Sequence, residues 1–182
     1  QNAELFSKSV HAKVFVQMGI PGCATCHDNH EILATSDQML GLGDHAVCAR
    51  CHSAGDKGGA TATGMRQFID SLNADYEKAH AVLTKAENAG MPVNQALFEL
   101  NEGKTALVKA RAAIHSFNVH LVKKEVEPGL AVSEKAYSRG IGALDELQFR
   151  RKGLAVSVLI ILGVVVGLVL KIREIEGRKP PQ

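Results

Sequence analysis

Cys23-Ala24-Thr25-Cys26-His27, followed by Cys48-Ala49-Arg50-Cys51-His52, writes one pattern twice, C-x-x-C-H, and uses all four cysteines of the chain. Two thiols three positions apart can each bond one vinyl group of the same porphyrin, and the next residue then brings an imidazole beneath the iron. The spacing predicts two covalently attached c-type haems. Cys23, Cys26, Cys48 and Cys51 are the expected thioether residues, and His27 and His52 the expected proximal iron ligands.

Two other chemistries use C-x-x-C pairs. A four-cysteine zinc ribbon has a comparable separation between its pairs, but it has no use for a histidine directly after each one. A catalytic disulfide belongs in a βαβ setting, and no such pattern surrounds either pair.

The 182 residues leave room for one domain and an appendage, and the composition is uneven along them. Residues 1–60 hold every cysteine and five of the eight histidines, namely His11, His27, His30, His45 and His52. Residues 61–152 are rich in the helix formers Ala, Leu, Glu and Lys. A net charge of +2 without a basic stripe argues against nucleic acid as a partner. Aromatic content is 4% with no Trp, low for an apolar core, so porphyrin is expected to fill the centre of the first part.

From Gly153 to Leu170 eighteen residues carry no charge, about 27 Å of helix at ~1.5 Å per residue. Arg150, Arg151 and Lys152 stand at one end and Lys171 and Arg173 at the other, where their stems can reach headgroups. A single membrane-spanning helix is expected. Positive charge is nearly balanced across it, so flanking residues do not orient it. Haem attachment does: it takes place outside the bacterial inner membrane, which predicts a periplasmic haem part and a cytoplasmic C-terminus. Such a chain needs an export signal, expected as a removed signal peptide or within a longer protein upstream of Gln1. Gly163 and Gly167 offer a small-residue face to another helix.

Between these parts, Met65, Phe68, Ile69, Leu72, Tyr76, Ala79, Leu83 and Ala86 recur at steps of three and four, one stripe on a helix that Asn88-Ala89-Gly90 and Pro92 should stop. Leu97, Leu100, Leu107 and Ile114 draw a second stripe, and the two read as an antiparallel hairpin. Glu127-Pro128-Gly129 should open a third helix leading to the membrane, weakened at Gly140 and Gly142. The fold class expected is all-α: an irregular, haem-packed dihaem part over 1–60, a helical hairpin and connecting helix over 61–152, a transmembrane helix over 153–171 and a tail over 172–182.

Each iron needs a second axial partner, and six histidines remain for two haems, which favours closed bis-histidine coordination. His11 can loop back over the first porphyrin. His30, too close to His27 to reach the far face of its own haem, suits a neighbouring one. His115, beside Ile114 at the end of the second helix, can point at the second haem. His45, in a Gly-rich turn, His80, at the margin of a helical stripe, and His120, after a helix break, rank lower, as do the sulfurs of Met18 and Met39.

Residues 9–60 resemble the multihaem cytochromes c, through Ser9-Val10-His11-Ala12-Lys13, Cys23-Ala24-Thr25-Cys26-His27-Asp28-Asn29-His30 and Cys48-Ala49-Arg50-Cys51-His52-Ser53. The resemblance implies distal-ligand roles for His11 and His30. The hairpin followed by an anchor is similar to membrane-bound cytochromes of respiratory chains, in which further haems often lie upstream or in partner subunits. The function expected is electron transfer rather than catalysis. The chain would relay electrons between the membrane subunits of a respiratory or quinol-oxidising complex and periplasmic carriers. A small-molecule reductase with one open iron site, or a structural subunit, are the alternatives.

Overall fold

The structure is a computed structural model that describes residues 1–30, 32 and 34–177. It is predominantly helical, with no strand among the described residues. In chain order the helices are α1 (Asn2–Ser7), α2 (Val10–Met18), α3 (Ala24–His27), α4 (Lys57–Asn88), α5 (Asn94–Ala113) and α6 (Val119–Gly177). Single 3₁₀ turns lie at Asp37–Met39, Val47–Arg50 and Ile114–Ser116.

Asp56 starts the bundle. Its backbone is extended and its side chain accepts the Gly59 N–H at 2.8 Å, satisfying a donor that a helix N-terminus leaves open. α4 therefore begins eight residues before Met65, where the apolar stripe starts, and crosses the expected 60/61 boundary. It ends where Asn88-Ala89-Gly90 predicts. Gly90 is left-handed at φ +82°, and the Met91 N–H returns to the Ala86 carbonyl at 3.0 Å, a glycine-terminated cap.

α4 and α5 form the expected hairpin, and α6 packs along both. Met65, Ile69 and Leu72 of α4 meet Leu107 and Ala110 of α5 and Val122 and Val126 of α6 in one cluster. Ala79, Leu83 and Ala86 meet Ala96, Leu100 and Ala136 in the next. Full burial of a large aliphatic side chain stabilises by about 1.5–3 kcal/mol, so Ile69, Leu72, Leu83, Val122 and Val126, all inaccessible to solvent, hold the bundle together.

The third helix departs from the expectation. It begins at Val119 instead of at Glu127, and Pro128 lies inside it. The start is set by Asn118, whose side-chain oxygen accepts the His120 N–H at 2.9 Å. An interior proline forfeits a hydrogen bond and costs ~3 kcal/mol. Here its ring is exposed, while Val122, Val126 and Gly129 on the opposite face pack against the hairpin, so tertiary burial overrides the local penalty. Gly140, expected as a weak point, is a contact point: a Cβ there would lie 2.7 Å from Val82 Cγ1. Gly129 is similar, with Ala106 Cβ and Leu72 Cδ1 each 2.8 Å from the position of a Cβ. Small residues on α6 let its backbone approach the hairpin closely.

Beyond Leu147, the last α6 residue packed on the bundle, the helix continues without interruption. Its 18-residue apolar window has a mean hydropathy of 2.9 and no buried residue, so one helix is long and apolar enough to span a membrane. The connecting helix and the expected span are thus one rod. Of the expected tail, residues 178–182 lie outside the described residues.

Candidate functional site

The two C-x-x-C-H stretches, far apart in sequence, fold into the same turn. In the first, the Cys23 carbonyl accepts the N–H of Cys26 at 3.2 Å and of His27 at 3.0 Å; in the second, the Cys48 carbonyl accepts the N–H of Cys51 at 3.2 Å and of His52 at 2.9 Å. One helical turn of this kind brings residues three apart to one side. None of the four cysteines is in a disulfide. The turns are neighbours, since Arg50 of the second donates to the Thr25 carbonyl of the first at 3.2 Å and lies 3.8 Å from Asp28.

Each trailing histidine faces a second histidine. The His27 and His115 rings have centroids 6.1 Å apart and planes 21° apart; those of His52 and His11 are 5.9 Å and 80° apart. Sequence order suggested the opposite association, with His11 over the first motif and His115 at the second. The bundle reverses it: α2 lies by the second motif, and the turn after α5 presents His115 to the first.

Hydrogen bonds set the tautomers of two of these rings. Asp56 Oδ1 lies 3.1 Å from His52 Nδ1. Asp56 is a carboxylate, held down to about 2 by the Ser53 and Gly59 N–H groups, and it can only accept. Nδ1 of His52 is therefore the protonated nitrogen, and Nε2 keeps its lone pair in the neutral ring. His115 Nδ1 lies 3.0 Å from the Ala112 carbonyl, another obligate acceptor, with the same result. Such outer partners orient histidines that bind metals.

His11 is held by aromatic rings. Phe117 lies against it, tilted by 36°, at 3.9 Å between centroids, and Phe15 meets it edge-on at 5.5 Å. Phe117 reaches this position through a left-handed backbone, φ +52°, which non-glycine residues adopt only under compensation. Asp28, directly after His27, is the other such residue, at φ +59°. His11 Nδ1 is buried without a hydrogen-bond partner, a rare state for a ring nitrogen. Burial first, and the facing His52 second, push this imidazole below the usual histidine range, which keeps it in the neutral form that ligates metals.

Iron porphyrin bound through cysteine fits these residues. An imidazole nitrogen bonds a first-row metal at about 2 Å and lies about 1.2 Å from its own ring centre, so two imidazoles on opposite sides of one ion have centroids about 6.4 Å apart. The centroid separations of both pairs, 6.1 and 5.9 Å, come close to that distance. A cleft of ≈ 670 Å³ opens beside the first motif, bounded in part by Cys26, His27, Met39, His45 and Arg50 and not by His115.

The competing chemistries are less well served. Among the described residues no three His, Cys, Asp or Glu side chains converge as a metal-binding group, whereas a structural zinc site requires four ligands. Burial first, and then the neighbouring Cys48, raise the Cys26 thiol above its ordinary range, the reverse of an activated redox cysteine.

His30 is exposed in the loop after α3 and is brought to neither pair. His45, His80 and His120 are exposed as well, and His80 lies on the outer face of α4 beside Tyr76 instead of in the core. Sequence reading missed Asp56, Gly58 and Phe117. A Cβ at Gly58 would clash with the Cε1–Nδ1 edge of the His52 ring, so that ring occupies space only glycine leaves. The cue for Asp56 was present as an Asp heading an Ala-rich helical run, the pattern of an N-cap; for Phe117 no local cue existed. Comparison with family models, curated proteins and solved structures yields no match.

Proposed function

We propose that the chain is a membrane-anchored, c-type multihaem cytochrome that relays electrons between a quinol-linked membrane partner and periplasmic redox proteins. The observation that carries this reading is the pairing: two C-x-x-C-H turns of identical hydrogen bonding, each with its histidine facing a second histidine at about the distance one iron requires. When bound, the haems supply one-electron iron chemistry. Cys23, Cys26, Cys48 and Cys51 would hold them covalently and His27 and His52 would bind the iron; Asp56 orients His52, and Phe117 with Phe15 packs around His11.

Coordination of each iron by two histidines would suit electron transfer and would leave no iron position for a substrate, which favours a carrier over a small-molecule reductase. The apolar rod of α6 supports anchoring in the bacterial inner membrane, and covalent haem chemistry puts the haem part on the periplasmic side with the C-terminus in the cytoplasm. Partners are then quinol-oxidising membrane subunits and periplasmic carriers, with further haems available from them.

The test is expression of the full chain in a bacterium that matures c-type cytochromes. Two haem masses on the intact polypeptide, Soret absorption in the membrane fraction, and reduction by a quinol analogue through a partner complex are expected. A polypeptide with no added mass, or one carrying zinc, would overturn the haem reading. Unchanged quinol-linked electron flux in a complex assembled with His27→Ala and His52→Ala would overturn the relay.

A further inference from the structure

We infer that the two haems have crossed distal ligands: His115 serves the haem attached at Cys23 and Cys26, and His11 serves the haem attached at Cys48 and Cys51. The inference rests on the haem reading above and assigns the sixth ligands within it.

Four observations converge. All eight histidines lie among the described residues, and only His11, His27, His52 and His115 are partly buried; His30, His45, His80 and His120 are exposed. The partly buried four fall into two neighbouring pairs at 6.1 and 5.9 Å, each joining one motif histidine to one outside a motif. His115 donates Nδ1–H to the Ala112 carbonyl, leaving Nε2 as its ligating atom. His11 has a buried ring nitrogen with no partner, in a cage that a strained Phe117 closes. His30, the other distal candidate, lies on the surface three residues past His27 and shares no pair.

The crossing has an electronic consequence. In low-spin ferric iron each imidazole donates π density perpendicular to its ring plane. Two nearly parallel rings act on the same iron orbital and split the pair strongly, whereas two nearly perpendicular rings raise both orbitals alike. His27 and His115, 21° apart, should give a rhombic paramagnetic signal; His52 and His11, 80° apart, one with a single very large principal g value. The two haems are therefore distinguishable, and each signal belongs to a named distal histidine.

The experiment is electron paramagnetic resonance on the oxidised full-length protein in detergent, after mass spectrometry has counted its haems. The unsubstituted protein should show both low-spin signals at equal spin count. His115→Gly should abolish the rhombic signal, His11→Gly the large-g signal, each replaced by one high-spin haem, and added imidazole should restore low spin in either variant. His30→Ala and His45→Ala should leave both signals intact. Two haems with both signals unchanged in His115→Gly or His11→Gly would overturn the assignment, as would loss of the opposite signal or failure of imidazole to restore it. Absence of covalent haem from the unsubstituted protein would instead overturn the underlying reading.

Discussion

Asp56 and His52 face each other across the non-helical turn that precedes α4, with Oδ1 3.1 Å from Nδ1, while the same carboxylate caps α4 by accepting the Gly59 N–H. One side chain thus joins the second C-x-x-C-H turn to the start of the bundle. The orientation of the imidazole and the origin of the helix share one anchor.

That double role separates two substitutions. Asn caps helices nearly as well as Asp but carries no charge, so Asp56→Asn should leave thermal stability close to that of the unsubstituted protein. It should raise the midpoint potential of the haem proposed at the second motif, because a carboxylate on Nδ1–H would strengthen the histidine as a donor to oxidised iron. Each tenfold loss of preference for the oxidised form corresponds to about 59 mV in a one-electron couple. Asp56→Ala should raise the potential and lower the melting temperature as well. Potentiometric titration with calorimetry reads both.

Gly58→Ala should displace the His52 ring, because the new Cβ would overlap it. Alanine favours a helix over glycine by about 0.8–1 kcal/mol, so propensity alone predicts a more stable protein. We expect the opposite: loss of low-spin character at the haem proposed for the second motif. Gly55→Ala, where a Cβ meets nothing within 4 Å, is the control and should keep both haems low-spin. Optical spectra of the two variants decide it.

The close approach of α6 to the hairpin can be tested at Gly129 and Gly142. Gly129→Val would press on Ala106 and Leu72, and overpacking of this kind costs about 1–3 kcal/mol. Gly142→Ala meets open space and should gain roughly 0.5–1 kcal/mol. Chemical denaturation of the two variants should move in opposite directions.

Glu99 joins α5 to α6 through Lys135 at 3.0 Å and Arg139 at 2.9 Å. Hydrogen bonds from Lys135, Arg139 and Gln95 hold its carboxyl down to about 2. Its folded value lies below the unfolded value of about 4.3. Its contribution is therefore complete above the unfolded value and is lost as pH falls towards 2. Thermal midpoints of the unsubstituted protein and Glu99→Gln should differ at neutral pH and converge on acidification. A gap that stays constant to pH 2 would contradict this role.

Local pattern carried much of the architecture. The step of three and four from Met65 to Ala86 marked α4, Gly90 marked its end, and the uncharged run from Gly153 marked the apolar rod, because helix period, left-handed caps and apolar length are properties of adjacent residues. Pro128 misled for the complementary reason. Proline is a strong local signal, but burial of Val122 and Val126 against α4 and α5 outweighs it, and that burial is contributed by residues elsewhere in the chain.

The sequence by itself determined the chemistry on offer: four cysteines and two histidines in two C-x-x-C-H turns, whose conformation closes through bonds to the first cysteine of each. Which further histidines face those turns was decided only by tertiary structure. His115 reaches His27 because α5 ends beside the first motif, and His11 reaches His52 because α2 and Phe117 lie at the second. Contacts between residues so distant in the chain are set by how the helices pack, and no spacing of letters encodes that directly.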